Sequence, residues 1–161
     1  MARQKITVKM ENLSGALADI LRQASVKNRQ YITDELRAVP YAAQGYIARE
    51  TYAASGLGHK SGDLRNMNYP MPLEVRGDNL QTGIRNPLVY AAIHELGGRT
   101  SPHDIRPRIK KALYWPGARH PVKVVHHPGS LIPARPFIQP ALSKAFDDFK
   151  AKIMSEGGIG L

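Results

Sequence analysis

The first third of the chain carries apolar residues at helical spacing. Two stripes recur every three or four positions, which is the period of one face of an α-helix. The first stripe is Leu13, Leu17, Ile20, Leu21 and Ala24, and the second is Ile32, Leu36, Val39, Ala43 and Ile47. Pro40 interrupts the second stripe, and we expect it to bend or break the helix because proline lacks the amide donor. Residues 12–55 are therefore predicted to be helical.

The middle of the chain changes to a β pattern. Glycines and polar residues are frequent in residues 56–70, and we predict this segment to be a flexible loop. Within 71–135, the tripeptide Gly77-Asp78-Asn79 separates PLEVRG from LQTGIRN, as in a β-hairpin. HDIRPRI, ALYWPG and PVKVVHH are predicted to be further short strands. The many prolines favour strand edges over a wide central sheet.

The last part of the chain, 136–155, returns to helical spacing. Its stripe is Phe137, Ala141, Ala145, Phe149 and Ile153, widened by Leu142 and Phe146. Pro136 and Pro140 fit the first turn, where backbone amides have no partner inside the helix. The whole pattern predicts one α+β domain over 1–161, with N-terminal helices, a small antiparallel β-sheet and a C-terminal helix packed on the sheet.

Charge adds a feature that the hydrophobic pattern does not show. The 161 residues hold 23 Lys/Arg and 13 Asp/Glu, and nine of the Lys/Arg lie between Leu96 and Phe146, where Asp104 is the one acid. Such a stretch indicates a polyanion or an acidic protein surface nearby. A solvated face or a subunit contact is the alternative.

Composition also excludes several classes of protein. Cysteine is absent, which removes disulfides, thiolate metal sites and cysteine nucleophiles. No apolar run reaches the roughly 18 to 20 residues of a membrane-spanning helix. MARQKITVKMENL lacks the apolar core of a signal peptide, so we expect a soluble chain without a secretory signal.

The most catalytic-looking stretch is YAAIHELGGR, in which His94-Glu95 suggests a zinc-peptidase helix. That motif needs a second histidine four residues after the first, so that both imidazoles share one helix face. Position 98 is Gly98, so the motif fails. His126 and His127 are adjacent on a predicted strand and point to opposite faces, which argues against one shared ion. We therefore expect no metal site.

Other chemistry-bearing motifs are missing as well. The chain has no GxSxG or GxGxxG, and GLGHKSGD lacks the spacing of a P-loop. It also has no helix-turn-helix, zinc-finger or RNP signature. Tyr114 and Trp115 in the basic stretch are of a type that stacks on bases, although a place in the core or at an interface is the alternative. The sequence thus predicts no catalytic residues and no cofactor.

Three segments, taken in order, resemble one family of phage proteins. HKSGDLRNM (59–67) resembles the TGxLRxS segment of small head–tail and tail-completion proteins, with Ser61 in place of the usual threonine. LQTGIRNPLVYAAIHELGGR (80–99) resembles the strand, glycine turn and Tyr-Ala segment that come next. IPARPFIQPALSKAFDDF (132–149) resembles the Pro-Ala-Arg-Pro-Phe element that opens their last helix. The chain is thus similar to HK97-type neck and tail-completion proteins and to Mu-type virion morphogenesis proteins.

The resemblance implies a structural virion protein that is not an enzyme and holds no cofactor. Such proteins form rings, commonly six-fold, at the neck, where they complete or terminate the tail and join it to the head. The implied partners are further copies of the chain, the tail-tube protein and the head connector or adaptor proteins, with no membrane. The implied location is the tail or neck of the virion, after assembly in the host cytoplasm.

Residues at the predicted sheet-to-helix junction are the candidates for subunit contacts. A ring needs a heterologous contact that closes, and arginines and aromatics often dominate interface energy. The candidates are His94, Glu95, Gly97, Arg135, Pro136 and Phe137. Two alternatives stay open, because Phe137 could belong to the core and Arg135 could pair with Glu95 within one subunit.

The role of the basic stretch depends on where it lies in such a ring. A strongly basic lumen would retain DNA that must pass through, so we expect much of the charge to face protein partners. Non-specific contact with passing DNA stays open. A minor tail protein and a basic nucleic-acid-binding protein are the alternative functions.

Overall fold

The computed structural model describes residues 6–9, 26–58, 61–76 and 79–156, so the predicted stripe from Leu13 to Ala24 lies outside the described residues. In chain order the elements are β1 (Ile6–Lys9), α1 (Val26–Tyr46), a π-helical turn (Ile47–Thr51), α2 (Tyr52–Ala54), α3 (Asp63–Asn66), β2 (Tyr69–Arg76), β3 (Asn79–Asn86), α4 (Ala91–Leu96), β4 (Gly98–Arg99), β5 (His103–Ile105), β6 (Val125–His127), β7 (Leu131–Ile132) and α5 (Ile138–Glu156). The predicted α+β class is confirmed.

The core lies between α1 and α5, which pack along each other and against β3. Both predicted stripes in this part are buried, as their spacing indicates: Ile32, Leu36, Val39, Ala43 and Ile47 from the first helix, and Phe137, Ala141, Leu142, Ala145, Phe146, Phe149 and Ile153 from the last. Ion pairs between Glu35 and Lys152 and between Glu50 and Lys144 lie at the rim of this packing. A period of three to four residues was thus sufficient to identify the buried faces.

Pro40 was expected to bend or break the helix, and it does not end α1. The helix runs on to Tyr46, and the irregularity comes later, as the π-helical turn that begins at Ile47. Pro40 is itself buried, between the buried residues Val39 and Ala43. Burial of this face outweighs the one backbone hydrogen bond that proline removes.

The principal sheet is antiparallel and has the order β1-β3-β2, so β3 is the central strand. The predicted hairpin is present as β2 and β3, with Arg76 opposite Asn79 and a register shift between Met71 and Glu74. β2 is an edge strand and contains Pro70 and Pro72. Prolines on an edge strand remove amide donors and so discourage pairing with a strand of another chain.

The remaining strands of the predicted β part, 71–135, form two small two-stranded ribbons. β4 pairs with β7 and β5 pairs with β6, both antiparallel and separate from the principal sheet. ALYWPG contributes only the isolated bridge between Leu113 and Val122. The segment predicted as a loop, 56–70, contains α3 and the first residues of β2 in its described part. None of the described helices is long and apolar enough to cross a membrane.

Candidate interaction site at the sheet-to-helix junction

The short helix α4 begins in a turn that Asn86 stabilises. The side-chain oxygen of Asn86 accepts a hydrogen bond from the amide of Leu88 at 3.0 Å, which bends the chain at Pro87 out of β3. The helix then runs to Leu96 and stops at Gly97, whose φ of 71° and ψ of −177° are open essentially to glycine alone. This short element presents Glu95 toward the last helix.

Glu95 caps the N-terminus of α5. Its Oε2 accepts hydrogen bonds from the amides of Phe137 and Ile138 at 2.9 and 3.1 Å, and its Oε1 accepts one from Gln139 at 2.8 Å. The next residue, Pro140, has no amide hydrogen, so the carboxylate satisfies the donors that a helix start leaves open. A buried negative charge is also favourable at the positive end of the helix dipole.

The chain before α5 runs close beside the end of α4. The amide of Arg135 donates to the carbonyl of His94 at 2.7 Å, and Gly98 pairs with Ile132 where β4 meets β7. A Cβ atom at Gly97 would lie 2.8 Å from the backbone nitrogen of Ala134. Glycine at position 97 is therefore required both by its backbone angles and by the close approach of the two segments.

The Arg-Pro-Phe corner divides into an exposed part and a buried part. Arg135 is exposed and donates from Nη1 to the carbonyl of Gly56 at 3.2 Å, so the alternative pairing with Glu95 does not occur. Pro136 is exposed, whereas Phe137 is fully buried and packs edge-to-face on Tyr52, with the ring centroids 5.5 Å apart. The structure thus places Phe137 in the core of the subunit.

The subunit-contact candidates therefore differ in what they offer another chain. Glu95 and Phe137 are buried and engaged within the subunit, so their side chains are not available for a contact in this conformation. His94 is half-buried and packs edge-to-face on Tyr90, and Arg135 and Pro136 are exposed. Of the six candidates, only these three present side chains at the surface of the junction.

A cleft of about 500 Å³ opens beside this corner. It is lined by Tyr52, Leu57, Gly58, Ser61, Gly62, Leu64, Tyr90, His94 and Arg135. Among the described residues that line the cleft, Arg135 is the one that carries a full charge, and none is a carboxylate. Burial raises the pKa of the Tyr52 phenol, whose hydroxyl donates to the carbonyl of Gly58. The cleft thus combines aromatic walls with a cation, a combination suited to holding a protein segment.

Two buried asparagines fix the floor of the junction, and the sequence interpretation missed both. Asn86 donates to Asn68 Oδ1 at 2.9 Å and to the carbonyl of Leu64 at 3.2 Å. Asn68 donates to the same carbonyl at 3.0 Å and to that of Arg65 at 2.7 Å. The one signal in the sequence was that each asparagine comes just before a proline-containing segment. This signal is weak because asparagines are common in such turns.

Replacing Asn86 with alanine is expected to lower the free energy of unfolding by about 2–3 kcal/mol. The change leaves Asn68 Oδ1 and the amide of Leu88 without their partners in a buried site. Urea unfolding followed by circular dichroism measures the loss. Asn66→Ala is the matched control, because Asn66 is exposed. Equal losses of unfolding free energy in the two variants would show that the buried asparagine network stabilises the fold no more than an exposed asparagine does.

The predicted separation of the adjacent histidines is confirmed. His127 stacks on His103 with the ring centroids 5.1 Å apart, while His126 lies 3.1 Å from Asp104 on the other face of the ribbon. The His126 hydrogen bond holds the pKa of the Asp104 carboxyl below its ordinary value. Among the described residues, no group of three or more histidines and carboxylates is placed to hold a metal ion.

Comparison with known proteins adds no family to this geometry. No protein-family model matches the chain, and neither a curated protein nor a solved structure is significantly similar to it.

Proposed function

We infer that this protein is a ring-forming structural subunit at the head–tail junction of a tailed bacteriophage. In this role it completes or terminates the tail and joins it to the head. The observation that carries the proposal is the convergence of the three segments that resemble neck and tail-completion proteins. Segments 59–67, 80–99 and 132–149 are distant in sequence, yet their described parts form one corner of the fold.

Specific contacts hold this corner together. Glu95 from the second segment caps the helix of the third. Asn86 from the second donates to the carbonyl of Leu64 in the first. All three segments also line the same cleft, through Ser61, His94 and Arg135 among others. Motifs that occur in the same order in different proteins can have one structural cause when they contact each other in the fold. The contacts among these three segments therefore support an architecture in common with neck and tail-completion proteins.

The surface at the junction suits a contact between subunits. Val89, Tyr90 and Leu96 lie on or just before α4 and are exposed, with Leu96 at 73%. Exposed apolar residues beside an arginine are typical of an interface centre. The prolines of β2 discourage contact through that edge of the sheet, so a closing heterologous contact is expected to use the junction instead.

Arg135→Glu is expected to weaken ring assembly by at least about 30-fold, the effect of losing a dominant interface residue. Native mass spectrometry of the full chain should show rings of the 17.8 kDa subunit for the unmodified protein and mostly monomers for the variant. Thermal unfolding should change little, because Arg135 is exposed and donates a single side-chain hydrogen bond.

Arg37→Glu is the matched control for this test, because Arg37 is an exposed arginine on α1 and lies outside the three segments that form the junction corner. Rings should survive this change. If both variants assemble as well as the unmodified protein, the junction is not the subunit contact. If the unmodified chain stays monomeric even with tails or connectors present, the proposed function itself is wrong.

A further inference from the structure

Residues 99–133 form an arm that contributes nothing to the core. Every residue from Leu96 to Pro136 is exposed or only half-buried, in contrast to the helices on either side. The arm is a long antiparallel hairpin, paired at its base as β4 and β7 and further out as β5 and β6. An isolated two-stranded ribbon is marginally stable in water, so a partner surface is expected to order it fully.

The arm concentrates positive charge. Its 35 residues hold seven Lys/Arg and one acid, Asp104, for a net charge of +6. Arg106 lies 3.6 Å from Asp104. The six other cations form no ion pair within the described part of the chain: Arg99, Arg108, Lys110, Lys111, Arg119 and Lys123. The charge is therefore available to a partner.

Net charge does not favour a second copy of the chain as the partner of the arm. Outside the arm the sequence holds 16 Lys/Arg and 12 Asp/Glu, so the remainder is also net positive. Many of those acids already have partners. Four of them form ion pairs: Asp34 with Arg37, Glu35 with Lys152, Glu50 with Lys144 and Asp147 with Lys150. Asp148 accepts a hydrogen bond from Tyr46, and Glu95 caps α5. Charge complementarity thus points away from self-association through the arm.

We propose that the arm binds duplex DNA through its phosphates, independently of base sequence. A two-stranded β-ribbon fits the major groove of B-DNA. Cations lie along both halves of the hairpin, outside its paired residues: Arg106, Arg108, Lys110 and Lys111 follow β5, and Arg119 and Lys123 precede β6. This arrangement lets the ribbon reach the phosphates on both walls of the groove.

The exposed apolar residues of the arm are compatible with the same partner. Ile109 is 99% exposed, and Tyr114 and Trp115 are 68% and 47% exposed. Apolar and aromatic side chains contact thymine methyl groups in the major groove without reading a long sequence. The proposal departs from the expectation that much of the charge faces protein partners, because the basic stretch lies largely on an exposed arm.

Trp115 is the one tryptophan of the chain and lies on the arm, so its fluorescence reports on the arm directly. The full-length protein is titrated with a mixed-sequence duplex of about 30 base pairs, about three helical turns. We expect quenching of Trp115 and a steep salt dependence. Four phosphate contacts give a log–log slope of about −3.6, so affinity should fall about 100-fold between about 50 and about 200 mM salt.

The decisive variant removes the four cations that follow β5: Arg106→Gln, Arg108→Gln, Lys110→Gln and Lys111→Gln. These side chains are exposed, so the fold should survive, and unchanged Trp115 emission without DNA checks the arm. Affinity at low salt should fall at least about 100-fold, with a slope shallower by about 3.6. The matched control removes the same charge from the body: Arg37→Gln, Arg49→Gln, Arg85→Gln and Lys150→Gln. It should bind within a few-fold of the unmodified protein.

Four results would overturn the inference. The first three are no binding of the duplex at low salt, an equal loss in the arm variant and the control, and equal binding and quenching by poly-glutamate, which would indicate an acidic protein partner. Loss of oligomers in the arm variant with DNA binding unchanged would also overturn it and assign the arm to a second copy. The DNA titration needs no ring, so its failure is distinguishable from failure of the proposed function.

Discussion

Replacing Glu95 with alanine is expected to lower the free energy of unfolding by about 3–5 kcal/mol. The amides of Phe137, Ile138 and Gln139 lose their common acceptor, and the first two are buried. Hydrogen bonds to a charged group contribute about 1.5–3 kcal/mol each, and their loss leaves donors unsatisfied. Urea unfolding with linear extrapolation measures the change.

Two further variants separate capping from other effects. Glu95→Gln keeps the shape and one acceptor oxygen, so we expect an intermediate loss of about 1–2 kcal/mol. Glu50→Ala removes a carboxylate from an exposed ion pair with Lys144 and should cost less than about 1 kcal/mol. A Glu95→Ala loss no larger than the Glu50→Ala loss would contradict the capping role.

The second large effect is expected for Gly97→Ala, at about 3–4 kcal/mol of lost stability. The backbone angles of Gly97 are costly for any residue with a Cβ atom. In addition, the new methyl group would lie 2.8 Å from the nitrogen of Ala134 and 3.1 Å from the carbonyl oxygen of Ile132. The segment before α5 must move to admit it. Thermal or urea unfolding of the full chain reports the loss.

Gly56→Ala supplies the matched control for Gly97→Ala. Gly56 also has a positive φ, of 69°, but a Cβ atom there meets nothing within 4 Å. Its substitution should cost about 1 kcal/mol, from the backbone conformation alone. The difference between the two variants measures the close approach at the junction together with the more restrictive backbone angles of Gly97. Equal costs would show that α4 and the segment before α5 can separate freely.

The helical faces could be predicted from the sequence because periodicity is a local property. The helical spacing in the sequence identified residues that are buried in the structure, such as Leu36 and Ala43 on α1 and Ala141 and Phe149 on α5. The β2–β3 hairpin was equally accessible, since turn residues lie between two apolar runs. Local chemistry thus predicted the class and the principal core.

The junction could be located but not explained from sequence. The partners of Glu95 are backbone amides 42 to 44 residues further along, and an amide donor is common to all residues but proline. No residue pattern records such a contact. The link between Asn86 and Asn68 has the same character, because either asparagine alone is an ordinary turn residue.

The arm shows a different limit. The composition of the sequence identified the positive charge of the arm. Charge indicates which partners a surface attracts, but it does not predict how the backbone folds. ALYWPG has the composition of a strand but forms only the bridge from Leu113 to Val122. Strand propensity depends on neighbours to pair with, and an exposed hairpin supplies few of them.

The most direct test of the proposed neck function is deletion of the gene from a tailed phage that encodes this chain, followed by electron microscopy of the lysate. If the protein completes the tail and joins it to the head, DNA-filled heads and separate tails should accumulate. Added purified protein should then restore joined particles. Joined, infectious virions formed in the complete absence of the protein would contradict the proposed function.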